Sequence, residues 1–203
     1  MIAEFFDNLH HLDRLVAWGG YAGLTAIVFC ETGLLAGFFL PGDSLLVTAG
    51  LVASQGHLDI VKLGLLLTAA AIAGDSVGYA IGFYVGPKIF NKEESFFFRK
   101  QHLERTHAFF EKYGGKTIIL ARFVPIVRTF APTVAGVGRM SYKKFLSYNV
   151  IGGTLWVWGM LAIGYFLGET VPNVEKHLHV ILLVVIFVSF LPVIFEIYKA
   201  KKR

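Results

Sequence analysis

Five charged residues lie inside otherwise apolar stretches of this 203-residue chain: Glu31, Asp43, Asp75, Arg122 and Arg128. A charge at bilayer depth costs roughly 2.5 to 3.5 kcal/mol on insertion scales, so residues placed this way face a cavity, a partner or a substrate. The two signs suit different chemistry. Apolar surroundings favour the neutral form of a carboxylate, so Glu31, Asp43 or Asp75 could take up and release a proton. Arginine keeps its charge at any working pH and grips phosphate bidentately, so Arg122 and Arg128 suit an anionic headgroup.

Each candidate also has a plainer reading. Asp43, followed by Ser44, could simply cap the helix that starts there. Asp75, in Gly74-Asp75-Ser76-Val77-Gly78-Tyr79, could make an interhelical hydrogen bond, since the small residues around it suit close helix packing. Arg122 and Arg128 could pair structurally with Glu31 and Asp43, or snorkel to the interface. Glu31 has no capping role open to it, which leaves function or a buried ion pair. The two arginines are six residues apart, which on an unbroken helix turns them about 240° from each other. A break at Pro125 would let both face one cavity.

The elements that must position these residues follow from hydropathy. The chain is 55% hydrophobic and only 16% charged, with mean hydropathy +0.62, too apolar for an ordinary soluble domain. An all-α membrane protein is expected, forming a single domain over 1–203. Residues 2–16 have the spacing of an amphipathic helix at the interface. From Leu15 to Phe39 the chain is apolar until Pro41-Gly42 stops it, and Ser44–Ala53 is only half the length a spanning helix needs. That reads as a helix followed by a re-entrant hairpin. Ile60–Gly86 can span. Residues 87–116 form a basic loop. Thr117–Val137 holds Arg122, Pro125, Arg128 and Pro132, so a second re-entrant hairpin is expected, broken at Pro125 and Pro132. Phe145–Gly168 and 179–198 can each span.

Positive charge in the 87–116 loop and at the C-terminus places both in the cytoplasm. The two hairpins then enter from opposite faces, the first from outside and the second from inside. The sequence also repeats: Phe39-Leu40-Pro41 recurs 84 residues on as Phe123-Val124-Pro125, and Ile81-Gly82-Phe83-Tyr84-Val85-Gly86 recurs 82 residues on as Ile163-Gly164-Tyr165-Phe166-Leu167-Gly168. With opposite orientation this is an inverted repeat of about 26–86 and 117–168, the plan by which secondary transporters build a midplane site.

Other classes fit poorly. The net charge of +5 is carried by loops and the C-terminus, which argues against nucleic acid. The one cysteine, Cys30, lies in an apolar run, and the histidines lack metal-ligand spacing, so neither a metal nor a cofactor is expected. Trp156 and Trp158, with Tyr142 and Tyr148, read as packing or aromatic-belt residues. No His-Glu-x-x-His or phosphate-loop motif occurs, so no enzyme is expected.

At these residues the chain resembles the DedA family, whose eukaryotic relatives carry the VTT (SNARE-associated) domain. The resemblance rests on Glu31-Thr32-Gly33, Phe39-Leu40-Pro41-Gly42-Asp43-Ser44, Gly74-Asp75, and the run from Gly114-Gly115-Lys116-Thr117 through Ala121-Arg122-Phe123-Val124-Pro125-Ile126-Val127-Arg128-Thr129-Phe130-Ala131-Pro132 to Ala135-Gly136. It implies re-entrant hairpins and lipid movement across the bacterial inner membrane: a flippase or scramblase for an anionic lipid such as undecaprenyl phosphate, dependent on the proton motive force. By that resemblance Glu31, Asp43, Arg122 and Arg128 are the embedded charges of the transport site. A homo-oligomer such as a dimer remains open. The rivals are a proton-coupled transporter of a small cation or drug, a membrane-embedded lipid phosphatase, and a non-transporting assembly factor.

Overall fold

The structure, a computed structural model, describes residues 12–34, 42–90, 116–123 and 125–170. These residues form six helices: α1 (Leu12–Gly33), α2 (Gly42–Ser54), α3 (Ile60–Phe90), α4 (Lys116–Ala121), α5 (Pro125–Val137) and α6 (Tyr142–Thr170). The expected all-helical class holds for them. Two stretches, Ile60–Gly86 and Tyr142–Thr170, are long and apolar enough to cross a membrane, and Gly42–Ser54 is apolar but shorter. Most of the expected N-terminal amphipathic helix, Pro41, most of the basic loop and the 179–198 span lie outside the described residues.

The helices differ from the sequence reading at two boundaries, and one helix is kinked. α1 ends at Gly33 rather than Phe39, so Glu31 sits in its last turn rather than well inside it. The same helix consists of two stretches meeting at Gly20, whose φ of 48° and ψ of −149° only glycine adopts readily. Pro132 does not break a helix: it lies inside α5. A proline there removes one backbone hydrogen bond, a loss that neighbouring helices offset in membrane proteins. Pro132 packs at Gly78 of α3, where an added Cβ would lie 3.4 Å from the proline Cβ. The break falls earlier, at Arg122-Phe123, where i−3 hydrogen bonds tighten the end of α4, and Pro125 opens α5 as its first residue.

The chain divides into two compact units. One draws on Met1–Val28, Leu40–Ala70 and Leu155–Arg203, the other on Phe29–Phe39 and Ala71–Thr154. In the first unit α2 is buried along nearly its whole length, as expected for a helix that is apolar all round. α6 lies directly on it. A Cβ added at Gly50 would overlap the Leu161 carbonyl, one at Gly164 the Val47 carbonyl, and one at Gly168 the Ser54 hydroxyl. At the start of α3, Asp59 caps the helix by accepting from the Lys62 amide at 2.8 Å, while its own amide donates to the Tyr21 hydroxyl at 2.7 Å.

In the second unit α5 lies on α3 through the same kind of contact. A Cβ at Gly82 would overlap the Thr133 carbonyl, one at Gly136 the Tyr79 carbonyl, and one at Gly86 the Val137 side chain. Backbones that approach this closely need glycine, as in small-residue membrane helix pairs. An aromatic core of Tyr79 and Phe145, with Phe83 and Tyr148 against it, closes the unit around Ile118, Ala135 and Met140. The two sets of contacts correspond. Gly82 and Gly86 on α3 match Gly164 and Gly168 on α6, 82 residues on, and Gly50 on α2 matches Gly136 on α5, 86 residues on. The glycines at which the two long helices are approached most closely thus stand at the same 82-residue spacing as the sequence match. The Phe-x-Pro match at 84 residues lies largely outside the described residues.

Helix α5 is amphipathic in an inside-out sense. Thr129, Ala135 and the Arg128 side chain are buried, while Val127, Phe130 and Val134 on the other face are each at least 40% exposed. A protein surrounded by water places these types the other way round.

Candidate functional site

Four of the five predicted charges meet in the second unit. The close approach of α1 to α3 brings the acids there: a Cβ on Gly33 would stand 3.0 Å from the Gly74 carbonyl oxygen, with Glu31 and Asp75 alongside these glycines in sequence. Arg122 arrives from the end of α4, where the chain has already left the helix. Its stem lies against Gly152 and Gly153 of α6, the added Cβ positions standing 3.5 Å from the Arg122 Cδ and Nη2. A Cβ at either position would only reach ordinary contact with Arg122, so it is side chains larger than alanine that would press on the guanidinium.

The guanidinium of Arg122 pairs with the Asp75 carboxylate of α3 and also donates to the Asn149 side-chain oxygen on α6. Asn149 in turn donates to the Ile72 carbonyl at 3.2 Å, so the amide is held from both ends. Arg128, on α5, pairs with Glu31 at the end of α1. The pairs act on each other electrostatically: Arg128 is close enough to affect Asp75, and both Glu31 and Arg128 affect Arg122. Two acids and two arginines leave the cluster with no net formal charge. Burial is deep, with Glu31 at 1%, Asp75 and Arg122 at 4% and Asn149 fully enclosed. Buried charges persist only when paired and hydrogen-bonded, and that is the state of these four.

The pairing differs in part from the one expected. Arg128 finds Glu31, as the ion-pair reading has it. Arg122 takes Asp75 rather than Asp43. Asp43 belongs to the other unit, in the first turn of α2, where its carboxylate accepts from the Trp156 indole N–H at 2.8 Å. Trp156 is thus a hydrogen-bond donor to an embedded acid as well as a packing residue. Asn149 was not singled out from the sequence, though an amide within an apolar span is itself a signal, because a buried polar group needs a partner.

Chemically the cluster can do two things. The two guanidiniums can hold an anion if the carboxylates release them, and the carboxylates can accept protons. Among the described residues, no three His, Cys, Asp or Glu side chains come together as a metal-binding group.

Comparison with known proteins agrees with the membrane character of the fold. The VTT domain family matches residues 40–166, which include Asp43, Asp75, Arg122, Arg128 and Asn149 but not Glu31. The chain is 52% identical over 197 residues to Protein DedA of Escherichia coli strain K12, covering 95% of this chain and 90% of that protein. Over 187 residues it is 47% identical to an uncharacterized membrane protein of Mycobacterium tuberculosis, covering 89% of this chain and 81% of the relative. Inner membrane protein YqjA of Escherichia coli is 37% identical over 150 residues, 74% of this chain and 68% of that protein. No solved structure matches significantly.

Proposed function

Because the chain belongs to the DedA family of VTT-domain membrane proteins, we propose that it moves a lipid phosphate, of the polyprenyl phosphate class such as undecaprenyl phosphate, across the bacterial inner membrane. The observation that carries this reading is the pair of buried arginines, Arg122 and Arg128, each held by its own carboxylate in one unit. When Asp75 or Glu31 takes up a proton, its arginine is released from the ion pair, and a phosphate headgroup replaces the lost carboxylate. Return of the proton to solution on the far side restores the pair and expels the headgroup, which couples movement to the proton motive force. The lipid tail stays in the bilayer throughout. In this scheme the two broken segments, around Gly42 and Pro125, are re-entrant hairpins of an inverted repeat that enter from opposite faces, with the C-terminus in the cytoplasm, and no bond of the lipid is broken.

The test is transport of a labelled polyprenyl phosphate into proteoliposomes. Arg122→Ala and Arg128→Ala are expected to lower the rate at least about tenfold, as for loss of a hydrogen bond to a charged group of roughly 1.5–3 kcal/mol. Wild-type rates in both would refute the proposal. No inorganic phosphate is expected to appear.

A second reading draws on the same ion pairs: the carboxylates bind a small cation or drug, and the arginines only balance them. Arg→Lys changes separate the two, because lysine keeps the charge but cannot grip phosphate bidentately. Lipid phosphate transport predicts a large loss in Arg122→Lys and Arg128→Lys; cation transport predicts a mild one.

A further inference from the structure

Away from the charge cluster, the second unit has an open cleft of about 290 Å³ lined by Ser76, Tyr79, Ala80, Phe83, Tyr84 and Tyr142. It lies between the second half of α3 and the first turn of α6. The Tyr79 hydroxyl donates to the Met140 carbonyl, fixing the α5–α6 turn beside the cleft, and the Tyr142 hydroxyl donates to the Ser76 Oγ at 3.3 Å.

The turn carries a residue that stability alone does not select. Helix α5 ends with the Met140 amide bonded to the Ala135 carbonyl and the Arg139 amide to the Gly136 carbonyl, the pattern that puts the intervening residue in the left-handed region. Glycine is the usual occupant. Here it is Arg139, with φ of 51°, the one non-glycine residue with positive φ among those described. That conformation is unfavourable for a residue with a Cβ. The guanidinium stands 5.7 Å over the ring of Phe83, at the cleft.

Two exposed lysines, Lys143 and Lys144, follow in the first turn of α6, a placement that the helix dipole disfavours. Among the described residues none of these three cations has an acid as partner. Three cations thus fall within residues 139–144, the segment that turns past the aromatic cleft, with Arg139 over its Phe83 wall and Lys143 and Lys144 next in sequence to its Tyr142 wall.

We infer that this cleft binds an anionic phospholipid, its headgroup phosphate held by Arg139 with Lys143 and Lys144, and the first part of an acyl chain lying on Tyr79, Phe83 and Tyr84. The cations complement the phosphate, and the aromatic walls suit the interfacial zone where ring and headgroup meet. The cleft's volume is at the small end of ligand pockets, roughly 300–1,000 Å³, which suits part of one chain rather than a whole drug-sized molecule. This site does not depend on the transport reading, since none of its residues belongs to the buried cluster.

The test titrates the purified full chain in detergent with phosphatidylglycerol or phosphatidylcholine and counts bound lipid by native mass spectrometry. Wild type is expected to prefer phosphatidylglycerol. Arg139→Gly should lower that preference about fivefold, the effect of removing one cation near a phosphate, while its thermal midpoint in phosphatidylcholine stays the same or rises, because glycine fits the turn better. Arg139→Lys should keep the preference, and Lys143→Gln with Lys144→Gln should lower it without touching the turn. An unchanged preference in Arg139→Gly and in the double lysine variant overturns the inference. So does inorganic phosphate displacing phosphatidylglycerol at equal concentration, which would make this a site for the free anion.

Discussion

At Arg122 the protein places a full charge in a buried pocket and surrounds it with an acid, an amide and two glycines. Removing one member of such a pair leaves the other buried and unpaired, which costs about 3–5 kcal/mol. Arg122→Ala is therefore expected to lower stability by about that much in denaturant titrations in detergent. The double variant Asp75→Asn with Arg122→Gln should lose clearly less than the sum of its singles, because neither charge is stranded. Asn149→Leu removes the acceptor for Arg122 and the donor to Ile72; a loss of about 1–3 kcal/mol is expected, along with lower transport. The candidates Glu31, Asp75, Arg122 and Arg128 were legible in the sequence because each is a charge in an apolar run. Their pairing was not, since it depends on which helix ends meet. Asp43 is the instructive case: nothing in its neighbourhood announces Trp156, more than a hundred residues away, as its hydrogen-bond donor.

Among elements, the glycines separate close contact from mere frequency. A Cβ at Gly82 or Gly164 would strike a backbone carbonyl that cannot move without its helix, whereas Gly159 has nothing within 4 Å. Gly82→Leu and Gly164→Leu are expected to abolish folding, measured as monodisperse protein after extraction. Gly159→Ala should be neutral or stabilising by up to about 1 kcal/mol, from helix propensity alone. Gly20 also has open space around it, so Gly20→Ala would isolate the backbone effect, about 1–3 kcal/mol for its dihedral angles. Helix existence and length were readable from hydropathy, including the short α2 and the two spans. Two boundaries were not. The early end of α1 is marked by no residue stronger than Gly33. Pro132 reads as a breaker unless one knows that Gly78 makes room for it.

For the molecule as a whole, the inside-out face of α5 indicates the medium around it. Phe130→Lys would put a cation on the exposed apolar face; in lipid this is expected to cost about 2.5–3.5 kcal/mol and to reduce membrane-integrated protein, whereas in water it would be nearly silent. The paired matches in the sequence were an incomplete guide to the molecule, because similarity along a chain does not say which copy of one segment touches which copy of another.

The short helix of the first half, α2, makes its closest backbone approach to α6 of the second half, and α5 of the second half makes its own to α3 of the first. Each half thus lacks the glycine-bearing surface its short helix needs, and the other half supplies it. A chain severed between residues 91 and 115 should yield two fragments that are lost when produced alone and recovered as a complex when produced together.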